Sequence, residues 1–219
     1  MQENLAPRRT YGRESVEFAR TLTFTDGLFA IAMTLLVVSL SVPTLSDSNS
    51  VGELADKLND DSATFTSFAI SFAVIGRYWL AHHTYFSALA RIDRGIIALN
   101  LVYLAFIAFL PFPTALLGEY FENPLSIAIY AVNVAIVSGM EVVLFAYAQN
   151  HDLLERKLPR DIYRYGTAMS LAPVVFFLLS IPVAFISTTL AACCWFLGIP
   201  FAAVAQRWKP EGADEMLLG

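Results

Sequence analysis

The chain has 219 residues, 57% of them hydrophobic and only 15% charged, with a mean hydropathy of +0.58 and a formal net charge of −5. Soluble domains carry about 25% charged residues, and a water-soluble core of this length has no means of hiding so much apolar surface. The composition therefore argues against a soluble enzyme and for a single all-α, polytopic membrane unit, with no nucleic-acid partner expected.

In chain order, six apolar runs of membrane-crossing length are expected at Thr21 to Val42, Thr64 to Phe86, Gly95 to Leu117, Pro124 to Gln149, Tyr165 to Ile186 and Thr188 to Gln206. The first run follows a charged segment and exceeds the length of a signal-peptide core, so it reads as a retained helix. Pro43 follows span one, Pro124 opens span four, and a charged run from His151 to Arg164 separates spans four and five. The last two spans are joined only around Ser187, which predicts a tight antiparallel hairpin. Pro111, Pro113, Pro173, Pro182 and Pro200 fall inside spans, as membrane helices tolerate when neighbours satisfy the freed carbonyls. Cys193 and Cys194 are adjacent in an apolar stretch and read as free, buried thiols. The expected organisation is an N-terminal segment 1–20, a transmembrane domain 21–206 and a tail 207–219.

Charge placement sets the orientation, because cytoplasmic segments retain Lys and Arg. On the six-span reading, Arg8, Arg9, Arg13, Arg20, Arg77, Arg91, Arg94, Arg156, Lys157, Arg160, Arg164, Arg207 and Lys209 all fall on one side, and only Lys57 falls on the other. Both termini are then cytoplasmic, in a multi-pass protein of the cell membrane. The opposite side carries Asp47, Glu53, Asp56, Asp60, Asp61, Glu119 and Glu122. These read either as ordinary solvated loops or as an acidic mouth that concentrates cations.

Ionisable groups inside a bilayer are costly enough to be functional candidates by default. Asp26, Arg77, His82, His83, Asn100 and Glu141 all fall in the cytoplasmic half and predict a paired, hydrogen-bonded layer linking the first four helices. Adjacent histidines face different directions, so His82 and His83 suit a structural role better than chelation, with a proton or metal site as the alternative. No nucleophile elbow, phosphate-binding glycine loop, HExxH or paired CxxC is present, and neither an enzyme nor a resident metal or other cofactor is expected.

In the first span, Ile31, Thr34, Leu35 and Val38 share one helical stripe, extending to Ser41 and Val42 outward and to Phe24 and Gly27 inward. Asp26 is turned about 140° from Ile31 at about 100° per residue, so the acid is expected to face the bundle while the stripe faces something else. By periodicity alone the stripe is a packing surface or a pore lining.

Three segments bear on that choice. Arg20-Thr-Leu-Thr-Phe24-Thr25-Asp26, followed by Gly-Leu-Phe-Ala-Ile-Ala-Met-Thr-Leu-Leu, resembles the RxxxFSD signature and pore helix of the transmembrane protein 175 family of potassium channels, with Thr25 in place of the usual serine. Trp79-Leu-Ala-His82-His83-Thr-Tyr-Phe86 and the stretch from Asn100 through Leu110-Pro-Phe-Pro-Thr114 are similar to the same family. The resemblance covers roughly the first 150 residues with specific motifs. It implies a homotetramer of six-helix subunits around a central potassium pathway, with partners limited to other copies, the lipid bilayer and the permeant potassium ion. It further implies a hydrophobic constriction of layered side chains at Ile31, Leu35 and Val38, a pore-facing hydroxyl at Thr34, and a bracing network of Arg20, Phe24, Thr25, Asp26, Trp79, His82 and His83. No TVGYG-like carbonyl filter is present. Two other classes remain open: an ion-coupled secondary transporter using Asp26, His82, His83 and Glu141, and a membrane enzyme or assembly factor with the histidines as metal ligands.

Overall fold

The computed structural model describes residues 9–213; Arg8 and the remainder of both expected terminal segments, 1–8 and 214–219, lie outside the described residues. Ser15 begins the first helix: its hydroxyl accepts from the Phe18 amide and caps α1 (Val16–Leu35). The helix tightens into a 3-10 turn at Leu36–Ser39 and stops there, so Ser41 and Val42, expected on its stripe, lie beyond it. An unexpected short helix, α2 (Val51–Asp60), occupies the acidic connection and buries none of its residues.

Helix α3 (Ser62–Ser87) follows its expected bounds and buries Ser67, Ser71, Ile75, Tyr78, His82 and Phe86, a repeat of three and four residues that forms one inward stripe. The third expected run is broken into α4 (Arg94–Phe109) and α5 (Pro111–Glu119). Pro111 lacks an amide hydrogen, and the Leu110 amide tightens onto Ile107 at the junction. Helix α6 (Pro124–Asn150) is the most buried, and α7 (Arg160–Ala184) starts about a turn before its expected bound. The sixth run is likewise interrupted, giving α8 (Thr188–Trp195) and α9 (Gly198–Ala205) ahead of Pro200. Cys193 is exposed and Cys194 half-buried, which corrects the expectation of buried thiols: α8 turns this side away from α6 and α7.

Among the described residues, five stretches are long and apolar enough to cross a membrane: Val16–Ser39, Arg94–Glu119, Pro124–Asn150, Arg160–Ala184 and Thr188–Trp208. Helix α3 has the length, but serines, threonines, Arg77 and two histidines dilute its apolar character. The fold is thus all-α and multi-spanning, with one small departure. Strands β1 (Thr10–Gly12) and β2 (Arg91–Asp93) pair antiparallel, Thr10 opposite Asp93 and Gly12 opposite Arg91.

That ribbon ties the chain's start to the α3–α4 connection. The Ala90 amide also donates to Leu153 O at 2.9 Å, the Glu155 amide donates to Ala88 O at 3.0 Å, and Arg13 pairs with Glu155. The beginning of α1, the end of α3, the start of α4 and the end of α6 therefore meet at one end of the bundle, the end that carries most of the basic residues. At the opposite end Gly118 lets α5 approach α3 so closely that an added Cβ would stand 3.0 Å from Thr64 Cα.

Candidate functional site

Helix α1 presents two faces of unlike fate. Thr25, Phe29, Ala32 and Leu36 are buried against α3, α4 and α5, with Phe29, Ala32 and Leu36 each only 1% exposed. On the other side Ile31 is 60%, Leu35 46% and Val38 74% exposed. Thr34 and Phe24 are exposed with them, and Arg20 continues the same face one turn further toward the basic end. The Thr34 hydroxyl donates to Ile31 O at 2.8 Å, which leaves its oxygen lone pairs on the outer face.

The buried face is fixed by a chain of side-chain hydrogen bonds. Thr25 Oγ1 donates to Thr21 O at 2.9 Å and accepts from Asn100 Nδ2 at 2.9 Å; Asn100 Oδ1 stands 2.9 Å from His82 Nε2. The His82 ring stacks on Phe86 at 4.1 Å and on Tyr103 at 5.6 Å between centroids. Three helices, α1, α3 and α4, are thereby pinned through one buried asparagine. Nearer the surface, Trp79 Nε1 donates to Asp26 Oδ1 at 3.0 Å and the Trp79 ring stacks on His83 at 5.8 Å.

These contacts refine the expected polar layer. Thr25 bonds Asn100 of α4, which meets His82 of α3, and Asp26 bonds Trp79 of α3, whereas His83 stacks on the Trp79 ring of its own helix. Asp26 does not point into the bundle core as expected; it is exposed at the α1–α3 edge, because neighbouring Thr25 takes the inward position. Arg20 and Phe24 lie on the exposed face, outside this network. Of the four groups of the transporter reading, Asp26 and His83 share Trp79 as a partner, His82 has Asn100, and Glu141 has Arg77 at 3.8 Å.

A second set of buried polar contacts gave little warning in the sequence. Thr114 Oγ1 donates to Ser71 Oγ at 2.8 Å, Ser71 meets Tyr130 at 3.0 Å, and Tyr78 meets Ser138 at 2.6 Å, bonding α3 to α5 and α6. The available signal was the spacing of Ser67 and Ser71, four residues apart on one face.

An all-α, multi-spanning membrane protein whose first helix is braced on one side and bare on the other is the class this geometry defines. Comparison with known proteins narrows it. Residues 20–111 match the family described as the endosomal/lysosomal potassium channel TMEM175. A potassium channel of Chamaesiphon minutus is 34% identical over 201 residues, 86% of this chain and 95% of that one. A potassium channel of Streptomyces collinus is 40% identical over 107 residues, about half of either chain. The chicken protein, described as an endosomal/lysosomal proton channel, is 30% identical over 163 residues but is matched over only 32% of its length. A crystal structure of the Chamaesiphon homolog, described as a lysosomal potassium-selective channel homolog, superposes with a TM-score of 0.71 at 30% identity, covering 87% of this chain and 99% of that one. The chain belongs to the TMEM175 family of potassium channels.

Proposed function

We propose that four copies of this chain assemble around a central axis with the bare face of α1 lining a potassium-selective, leak-type pathway. The observation that carries the reading is the division of α1: Ile31, Leu35 and Val38 are exposed on the single subunit, while Phe29, Ala32 and Leu36 are sealed against its other helices. The residues that match the family model include this whole helix face from Arg20 onward.

In this reading Ile31, Leu35 and Val38 form successive aliphatic rings. Four branched side chains at one level narrow a pore until water leaves, and a dewetted constriction stops ions without a charged gate. Val38 makes the outer ring wider than a leucine would. Thr34, one turn beyond Ile31, offers hydroxyl oxygens to a cation once the helices rotate or separate. The Thr25–Asn100–His82 and Asp26–Trp79 contacts tie the inner end of α1 to α3 and α4. Residues 21–206 then form a six-span channel domain, α3 included, and the basic end, with flanks 1–20 and 207–219, faces the cytoplasm.

The test is flux from liposomes under a potassium gradient. Replacing Ile31 with Asn, or Leu35 with Ser, is expected to raise resting potassium flux about tenfold or more, equivalent to about 1.4 kcal/mol off the barrier. Unchanged flux in both variants overturns the hydrophobic constriction. Sodium and proton fluxes measured beside potassium report selectivity, and strictly coupled exchange in place of passive flux overturns the channel reading.

A further inference from the structure

Helix α7 carries an exposed stripe of mixed chemistry. Arg160, Arg164, Ala168, Leu171, Val175 and Leu178 follow one another at steps of three or four residues, the spacing of one helical face, and all of them are exposed. The face is cationic at one end and aliphatic along the rest. Helix length sets the level of the two arginines: α7 has 25 residues, about 37 Å, against about 30 Å of bilayer hydrocarbon, so its first turn reaches the headgroups. Arg164 starts one turn further in, and a side chain of arginine's length carries its guanidinium back to that level.

The neighbouring charges at this end are paired off: Arg13 meets Glu155, and Lys157 meets Asp152 at 2.7 Å. Among the described residues, Arg156, Arg160 and Arg164 make no ion pair, although Asp161 stands in the same turn. Like charges four residues apart on one helix face repel each other, and an anion between them relieves the repulsion. The last span brings Arg207 and Trp208 to the same end, both exposed, since Gln206 borders one cleft with Met169 of α7. Exposed arginine and tryptophan at the end of a span mark the headgroup region of a bilayer.

We propose that the start of α7 binds an anionic phospholipid of the adjoining leaflet, with the phosphate held by Arg160 and Arg164 and an acyl chain laid along Ala168, Leu171, Val175 and Leu178. Guanidinium groups match phosphate oxygens with paired, charge-assisted hydrogen bonds, and basic side chains at headgroup level favour anionic lipid. A zwitterionic headgroup offers the same phosphate but adds an ammonium among arginines that already repel. A second copy is the poorer occupant. Copies in a ring keep their basic ends at one level, so a subunit seated on this stripe sets basic end against basic end. The proposal does not rest on conduction, and it stands or falls independently of the pore reading.

The experiment uses the full-length protein in phosphatidylcholine liposomes containing a trace of photoreactive lipid, either phosphatidylglycerol or phosphatidylcholine, with the same diazirine in the acyl chain. Labelled peptides are located by mass spectrometry. Phosphatidylglycerol is expected to label the segment from Ala168 to Leu179 about tenfold more than phosphatidylcholine, the preference that two arginines at headgroup level provide. In the double variant Arg160→Gln with Arg164→Gln the two probes are expected to label alike, while labelling by phosphatidylcholine stays as in the wild type. Should that variant fail to fold, the comparison of probes on the wild type still decides the matter. Equal labelling of the wild type makes the stripe an ordinary lipid-facing surface and overturns the proposal. A preference that survives in the double variant overturns it in favour of other basic residues, and a preference abolished by inorganic phosphate overturns it in favour of a free anion. Cross-links to a second copy in place of lipid overturn it as well, because a neighbouring subunit then covers the stripe.

Discussion

Asn100 ties three helices together, since its amide bonds Thr25 on one helix and His82 on another while it sits buried on a third. A buried group of this kind contributes modestly when paired and costs heavily when its partners are stranded. Asn100→Leu leaves His82 Nε2 without its partner, and the expected loss is about 1 to 3 kcal/mol of stability. A lowered melting temperature of the detergent-purified protein checks this, and an unchanged one shows the network to be dispensable. The sequence marked Asn100 as polar at the right depth, yet pairing depends on helix rotation, and rotation is set by packing. The same reason explains Asp26. Two neighbouring polar residues, Thr25 and Asp26, compete for one inward direction about 100° apart, and the smaller hydroxyl, which bonds both its own backbone and Asn100, takes it. Gly95 is legible only in three dimensions, because a Cβ there would lie 1.9 Å from the Tyr147 hydroxyl. That hydroxyl donates to Asp93 Oδ2 at 3.0 Å, while Asp93 Oδ1 caps α4 by accepting from Ile96.

At the scale of elements, long apolar helices were legible wherever hydropathy is continuous, and their interruptions were not. The third and sixth spans contain Pro111 and Pro200, and proline removes a donor without dictating whether the helix bends or divides. Helix α2 went unread for another reason. Its stripe of Val51, Leu54 and Leu58 is short and set among acidic residues, so it resembles a loop by composition. The turn before it is held by Glu53, whose carboxylate accepts from the amides of Ser46 at 2.7 Å and Asp47 at 3.1 Å. These two amide bonds hold the Glu53 carboxyl below its ordinary range, that of Ser46 contributing most. The charged form makes the contacts, so the folded pKa lies beneath the unfolded one. The turn's stabilisation is complete above the ordinary glutamate range and is lost as pH falls through the lowered value. Hydrogen exchange, corrected for intrinsic rates, is expected to show protected Ser46 and Asp47 amides at neutral pH and loss of protection at strongly acidic pH. In Glu53→Gln that pH dependence disappears; its persistence would assign the protection to another group.

For the whole molecule, one subunit leaves an apolar helix face uncovered, and the arrangement of copies decides what covers it. In a cyclic ring the contacts between neighbours are heterologous, so a given residue meets its own copies only near the axis. This makes self-cross-linking a test of position. With Cys193 and Cys194 replaced by alanine, Val38→Cys is expected to form disulfide-linked oligomers on mild oxidation in liposomes. Leu179→Cys, also exposed in the single subunit but on α7, which packs on α6 and α8, is expected to remain uncross-linked. Cross-linking at Leu179 with none at Val38 would place α1 at the lipid boundary and move the axis to the other side of the subunit. The braced side of α1 explains why the distinction is physical: Thr25, Phe29, Ala32 and Leu36 bind the helix to α3, α4 and α5, so bringing Val38 to the axis brings the whole subunit with it. On the proposed pore reading, an opening at Ile31 and Leu35 must then move these helices together or rotate α1 against Asn100 and Trp79. Asn100→Leu separates the two, since it loosens the second route and leaves the first intact: a change in resting flux in that variant, with its fold retained, assigns the gate to rotation of α1 within the subunit, and unaltered flux assigns it to movement of subunits as units.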